Sequence, residues 1–126
     1  MDKRSGNSVL ILASTEKELS LLFRELAASL LDDFGPRRVW QAQYLSRTIH
    51  LALTGIGKVN AAIVATHLIE LLKPALIVNT GCGGAYSGSG LSVGDLAVAT
   101  AEIYGDEGVL TVNGWHTLLL RNYLKR

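Results

Sequence analysis

The sequence predicts an α/β protein, because short apolar strand segments alternate with helical segments and one strand runs into a glycine-rich loop. This loop spans Asn79 to Asp95, contains six glycines and follows the apolar run Ala75 to Val78. In open α/β sheets ligands bind beyond the carboxyl ends of strands, so the loop is the first candidate for a binding site. The alternative is a solvated connection without a ligand, because glycine clusters are common in loops.

The N-terminal third predicts a strand followed by an amphipathic helix. Val9 to Ala13 is a compact apolar run, typical of a strand that is covered on both faces. Ser14 and Thr15 then offer helix N-caps. The helix is expected to end near Asp32 to Pro36, since apolar residues with helical spacing continue through Leu19, Leu22, Phe23, Leu26 and Leu30.

The middle of the chain predicts an antiparallel strand pair and a second helix. Arg38 to Leu45 and Thr48 to Thr54 alternate polar and apolar residues. Gly55 to Gly57 then forms a tight turn into a helix over Lys58 to Leu72, which Pro74 stops. This helix is apolar around its circumference, so we expect it to be largely buried.

After the glycine loop the pattern predicts one more strand, from Leu96 to Ile103, closed by a turn over Tyr104 to Gly108. The stretch from Gly114 to the C-terminus has no clear period. A chain of 126 residues fits one domain, residues 1–126, that buries about two-thirds of its unfolded surface.

Composition excludes several classes of function. Hydrophobic residues make up 48% of the chain, but no apolar run approaches the roughly 20 residues of a membrane helix. The polar N-terminus lacks a signal-peptide pattern, so we expect a cytoplasmic protein without a membrane partner. Twelve Lys and Arg against eleven Asp and Glu give a net charge of +1, which does not indicate a nucleic-acid partner.

The cysteine and histidine content predicts neither a disulfide nor a metal site. Cys82 is the single cysteine, and His50, His67 and His116 are too scattered for metal-ligand spacing. We therefore expect no metal and no cofactor.

Glu18 is the first candidate catalytic residue, because it lies one helical turn after the first strand, where a general base could reach a ligand. The segment from Thr15 to Glu18 also fits a capping box, in which the glutamate reaches back to the amide of the cap residue. The local sequence favours the cap.

Two further positions are candidates for a pocket. The strand-to-helix turn from Gly55 to Asn60 matches the dinucleotide fingerprint weakly, and it better fits a turn that brings Ile56 to the rim of a pocket. A turn without a ligand explains it equally well. Cys82 could be a nucleophile, but without a partner base nearby it better fits a small residue that lines a pocket.

Five segments in the same order resemble the nucleoside phosphorylase/hydrolase superfamily, and within it the futalosine hydrolase branch, a relative of methylthioadenosine/S-adenosylhomocysteine nucleosidases. The resemblance covers Val9 to about His116, and the last segment favours the futalosine branch. The segments are Leu12 to Leu19, Thr54 to Ala62, Asn79 to Ala85, Val93 to Ala99 and Glu102 to Val109.

The resemblance implies a three-layer α/β/α sandwich around a twisted mixed sheet, usually in homo-oligomers, that hydrolyses a purine N-ribosidic bond. Glu18 matches the family's water-activating glutamate, which reverses the local preference for a cap. Ile56 matches a position on the sugar side of the pocket. Cys82, Gly83 and Gly84 match the loop under the ribose and base. The N-terminal loop lacks the phosphate clamp of the phosphorylases, which favours water as the nucleophile.

Relatives run to roughly 200 residues or more, and the part not matched here resembles the part with the ribose-binding glutamate and the aspartate that protonates the purine. The resemblance therefore implies the N-terminal portion of a truncated fold, with no recognised pattern over residues 117–126. One hypothesis is a portion of a futalosine hydrolase, which would act in menaquinone synthesis. The alternatives are a methylthioadenosine nucleosidase and a non-catalytic remnant that binds nucleosides weakly or pairs with a partner chain.

Overall fold

The structure is a computed structural model that describes residues 7–31 and 38–119. The described residues belong to two compact units, one that ends at Gly84 and one that begins at Ala85. Within the described ranges, neither helix is both long enough and apolar enough to cross a membrane. One domain over residues 1–126 stays a prediction.

The first unit is built on a five-stranded mixed sheet with the order β2-β3-β4-β1-β5. Strand β1 lies between β4 and β5 and is parallel to both, whereas β2, β3 and β4 are antiparallel neighbours. The predicted first strand and the predicted antiparallel pair are confirmed. The strands are β1 (Ser8–Ala13), β2 (Ser29–Leu31), β3 (Val39–Tyr44), β4 (Arg47–Leu53) and β5 (Leu76–Asn79).

One helix packs on each face of this sheet, which confirms the three-layer α/β/α arrangement. Helix α1 (Glu16–Glu25) covers one face through Leu19, and α2 (Lys58–Leu72) covers the other through Val64 and Leu68. Alternate residues of β1 pack in the two hydrophobic cores, because successive side chains of a strand point to opposite faces of the sheet. Val9 and Ala13 pack on the α1 side, and Leu10 and Leu12 on the α2 side.

Helix α1 is shorter than its apolar spacing predicts. It ends at Glu25, and Ala27 then adopts a left-handed backbone conformation with φ of 47°. Leu30, which continues the helical spacing, pairs with Trp40 in the β2–β3 ladder instead. Pairing with β3 therefore overrides the helical pattern, and the predicted end between Asp32 and Pro36 lies outside the described residues.

Helix α2 has the predicted bounds, but the prediction that it is largely buried is wrong. Only Val64 and Leu68 are fully buried, since a single helix on a sheet face buries one stripe. Val59 and Ile63 remain 73% and 57% exposed.

The second unit is a β-hairpin preceded by a segment of turns and irregular backbone. Its strands are β6 (Ile103–Thr111) and β7 (Gly114–Leu119). The prediction of a strand from Leu96 to Ile103 is wrong, because the described residues Leu96 to Glu102 pair with neither sheet and β6 begins only at Ile103. The predicted turn from Tyr104 to Gly108 is instead a register shift within β6.

A buried histidine lies within the first unit. His50 on β4 is 7% exposed, faces Leu10 and Gln41 across the strands, and its Nδ1 has no hydrogen-bond partner among the described residues. Burial lowers the pKa of His50 below its usual 6.5, because charge is unfavourable in an apolar setting. The folded state therefore holds the neutral imidazole.

We predict that His50 makes the fold less stable in mild acid. Its contribution to the free energy of unfolding is complete above pH 6.5 and decreases as the pH falls below that value. The reason is that the imidazole binds a proton more readily in the unfolded chain than in the folded chain. Thermal unfolding between about pH 8 and about pH 5 should show a smaller loss of stability in His50→Leu than in the wild type. His67→Leu, which alters an exposed histidine, is the control and should retain the wild-type slope. An unchanged slope in His50→Leu would contradict the prediction.

Candidate active site

Three chain segments leave the first unit at the same edge of its sheet. Because β1, β4 and β5 are parallel, their carboxyl ends lie together, and this edge is where α/β proteins bind ligands. Backbone hydrogen bonds continue the pairing beyond the strands, from the Thr54 amide to the Ala13 carbonyl at 2.8 Å and from the Thr80 amide to the Leu12 carbonyl at 2.8 Å. The start of α1, the turn before α2 and the first residues of the glycine loop, Thr80 to Gly84, therefore leave the sheet at the same edge.

Glu18 closes the first turn of α1 onto the residue that caps it. The amide nitrogen and the hydroxyl of Thr15 both donate to Oε2 of Glu18, at 2.8 Å and 3.0 Å. Thr15 has an extended backbone, with φ of −133°, as an N-cap residue should. The carboxylate also lies at the positive end of the helix dipole, which favours its charge. The capping interaction indicated by the local sequence is therefore present.

The same carboxylate contacts the glycine loop through its other oxygen. The amide nitrogen of Cys82 donates to Oε1 of Glu18 at 3.2 Å. A Cβ atom added to Gly81 would lie 2.9 Å from Oε1, so the absence of a side chain there lets the carboxylate lie against the loop. Glu18 is therefore both the capping residue and a polar group at the end of the sheet.

These hydrogen bonds lower the pKa of Glu18 below its usual 4.5. The Cys82 amide has the largest effect, followed by the amide and the hydroxyl of Thr15, with a smaller effect from the Ser14 amide. Partial burial of the carboxylate acts in the opposite direction and raises its pKa. Since donors stabilise the charged form, Glu18 is an ionised carboxylate at neutral pH, able to accept a proton or a hydrogen bond.

Ile56 lies at the tip of the turn between β4 and α2. The flanking Gly55 and Gly57 have φ values of 80° and 100°, which glycine adopts without strain. Asn60 closes the turn by donating from Nδ2 to the Ile56 carbonyl at 2.7 Å. Because the turn follows the carboxyl end of β4, Ile56 lies at the edge that also holds Glu18, and its side chain is 77% exposed.

The remaining candidates lie on the loop after β5. Cys82 is exposed, and its amide rather than its thiol is the group that contacts Glu18. A Cβ atom on Gly83 or Gly84 would meet nothing within 4 Å, so the space around both is open. In residues 7–31 and 38–119, no group of three or more His, Cys, Asp or Glu is arranged to hold a metal ion.

Sequence reasoning missed two residues of this arrangement. Gly81 precedes the three loop residues taken as binding residues, yet it is the glycine that Glu18 lies against. No local signal could have found this contact, because Gly81 is the second residue after β5 and its neighbour Glu18 lies 63 positions away in the chain. Thr15 was assigned to the cap alone.

The sequence profile of the phosphorylase superfamily matches residues 8–117. The chain belongs to this superfamily. The match includes the start of α1, the turn before α2 and the glycine loop, and it confirms the superfamily resemblance of the five segments.

Curated relatives within the superfamily are nucleosidases. The chain is 38% identical over 90 residues to the 5′-methylthioadenosine/S-adenosylhomocysteine nucleosidase of Maridesulfovibrio salexigens, covering 71% of this chain and 38% of that protein. It is 42% identical over 87 residues to the enzyme of the same name from Halalkalibacterium halodurans, covering 65% and 37%. The chain thus spans about two-fifths of the length of these relatives.

A solved structure agrees with this relationship. The Neisseria meningitidis 5′-methylthioadenosine/S-adenosylhomocysteine nucleosidase, in complex with methylthio-immucillin-A, has a TM-score of 0.61 and 34% sequence identity, covering 71% of this chain and 38% of that one. The predicted nucleoside phosphorylase-like fold is confirmed. The futalosine branch stays a prediction, because these relatives carry the methylthioadenosine name.

We predict that Gly81→Ala separates Glu18 from the loop. The new methyl group would lie 2.9 Å from Oε1, so the flexible carboxylate must move and lose its hydrogen bond from the Cys82 amide. The pKa of Glu18 should then rise toward its usual value, as measured by carbon NMR titration of its carboxyl group. Gly83→Ala is the matched control in the same loop, where a Cβ meets nothing within 4 Å, and should leave the titration unchanged. Equal titrations in both variants would contradict the contact.

Proposed function

We propose that this chain carries the water-activating carboxylate and the nucleoside-binding loop of a purine nucleoside hydrolase. The observation that supports the proposal is the position of the Glu18 carboxylate, which is ionised and hydrogen-bonded to the loop at the carboxyl edge of the sheet. Membership of the phosphorylase superfamily and similarity to nucleosidases support the same class of substrate.

The chemistry is hydrolysis of the bond between ribose and purine. A water oxygen bonds to the anomeric carbon, one water proton passes to Glu18, and the glycosidic bond breaks with its electron pair leaving on the purine. The purine takes up one proton, which balances the proton that Glu18 accepted. The transition state resembles an oxocarbenium ion, so a nearby carboxylate stabilises it as well as activating water.

The other loop residues fit the binding of a nucleoside. Gly83 and Gly84 leave open space beside Cys82, as a ribose and a flat purine base require for close approach to a backbone. Ile56 offers an exposed apolar side chain at the same sheet edge, in the position proposed for the sugar side. We assign binding to Ile56, Cys82, Gly83 and Gly84, and proton transfer to Glu18.

The preferred nucleosides are methylthioadenosine and S-adenosylhomocysteine, because the similar proteins carry those names. Futalosine is the second candidate, with a role in menaquinone synthesis, and the observation in its favour is the segment from Glu102 to Val109. A homo-oligomer in the cytoplasm also belongs to the proposal. The competing function is nucleoside binding without catalysis.

We predict that Glu18→Gln removes hydrolysis while retaining nucleoside binding. Loss of a general base typically lowers the rate by 10²–10⁴-fold, and glutamine preserves the size of the side chain. Purine release should be measured under single-turnover conditions with the protein in excess, which detects slow catalysis, and binding should be measured by calorimetry. Glu16→Gln, an exposed glutamate of the same first helical turn, is the matched control and should keep the wild-type rate.

The outcomes separate the proposed functions. Equal rates of purine release in the wild type and Glu18→Gln would contradict the role of Glu18. Binding of a nucleoside without release by the wild type would support the non-catalytic alternative, and the absence of both would contradict a nucleoside site.

We predict that methylthioadenosine is cleaved faster than futalosine. Each nucleoside should be supplied at the same concentration, and the released purine should be quantified by chromatography. Inosine serves as a control for non-selective cleavage. Faster release from futalosine would assign the chain to the futalosine branch instead.

A further inference from the structure

The two oxygens of the Glu18 carboxylate have different surroundings. Oε2 accepts two hydrogen bonds from Thr15, whereas Oε1 accepts one from the Cys82 amide and lies toward Gly81. A carboxylate offers about four lone-pair sites, about two on each oxygen. Both of these hydrogen bonds to Oε2 come from the cap residue, and Oε1 is the oxygen on the side of the loop.

The Thr15 hydroxyl takes part in the capping box at the start of α1. It donates to the Glu18 carboxylate at 3.0 Å, while the Glu18 amide donates to the Thr15 backbone carbonyl at 3.3 Å. The hydroxyl is thus directed at the charged side chain.

Two donors from one residue fix the orientation of the carboxylate plane. The terminal torsion of a glutamate is broad and roughly two-fold, so one weak contact would leave the carboxylate plane free to turn. Paired bonds at 2.8 Å and 3.0 Å hold one oxygen, Oε2, on Thr15, and turning the plane out of this orientation would break both. Oε1 is then directed to the glycine loop.

We propose that Thr15 is the positioning residue of the active site, which holds Oε2 of Glu18 so that Oε1 is the oxygen that receives the proton from water. This inference rests on the proposed catalytic role of Glu18 and adds the choice of oxygen and the residue that makes it. The helix cap and the proposed catalytic carboxylate share the same hydrogen bonds. Removal of the Thr15 hydroxyl therefore changes the reaction through Glu18, without contact between Thr15 and the substrate.

The test compares Thr15→Val, which removes the hydroxyl and keeps the shape and the amide, with Thr15→Ser, which keeps the hydroxyl. Carbon NMR titration of Glu18 in the 126-residue chain should show a higher pKa in Thr15→Val and the wild-type value in Thr15→Ser. Ser20→Ala is the control, because the Ser20 hydroxyl bonds to the Lys17 carbonyl on the same helix and not to Glu18. It should leave the titration unchanged.

The kinetic measurement is the pH profile of single-turnover purine release. In Thr15→Val the acid limb should move to higher pH and the maximal rate should fall, with nucleoside affinity unchanged and both effects rescued in Thr15→Ser. A wild-type titration in Thr15→Val, or a changed titration in Thr15→Ser, would overturn the positioning role. If the titrations behave as expected but no variant releases purine, the positioning of the carboxylate holds and the proposed hydrolysis fails.

Discussion

The structure at the carboxyl edge of the sheet depends on one shared carboxylate. Glu18 joins the start of α1 to the loop after β5, two segments separated by 64 positions in the chain, through Thr15 on one side and Cys82 on the other. Donors on both sides keep the group ionised, so the interaction that orders the edge also places a negative charge there. Stability of the helix start and chemistry at the edge therefore depend on the same atoms.

The parallel strands make this arrangement available. Strand β1 lies between β4 and β5 and is parallel to both, so the connections that follow these three strands begin at one edge, whereas the antiparallel strands β2 and β3 lie on the far side of β4. Each connection contributes something different to the edge. The connection after β1 contributes the charge of Glu18, and the connection after β4 contributes the exposed apolar side chain of Ile56. The loop after β5 contributes backbone with open space at Gly83.

Sequence patterns predicted most of the first unit and less of the second. The strand at β1, the antiparallel pair and the bounds of α2 follow from periodicity and turn residues, which act locally. Leu30 shows where local patterns fail. Its helical spacing predicted that it belongs to α1, but it pairs with β3 and lies in β2. The segment from Leu96 to Glu102 is a second failure of local patterns. Apolar residues with strand spacing form a strand only where a partner strand pairs with them. The structure brings Glu18, a candidate from the sequence, to the loop after β5, but the contact at Gly81 depends on a neighbour 63 positions away and has no local signature.

The local sequence offered two roles for Glu18 as alternatives, and the geometry makes them compatible. A capping glutamate usually directs its charge to its own helix and is then of no use to a ligand. Here the cap engages Oε2 and leaves Oε1 at the loop, so the carboxylate can cap with one oxygen and act as a base with the other. The cap also limits the base, because every donor that fixes the carboxylate lowers its proton affinity. A fixed but weakly basic carboxylate suits the proposed hydrolysis, in which it would orient the water and accept its proton.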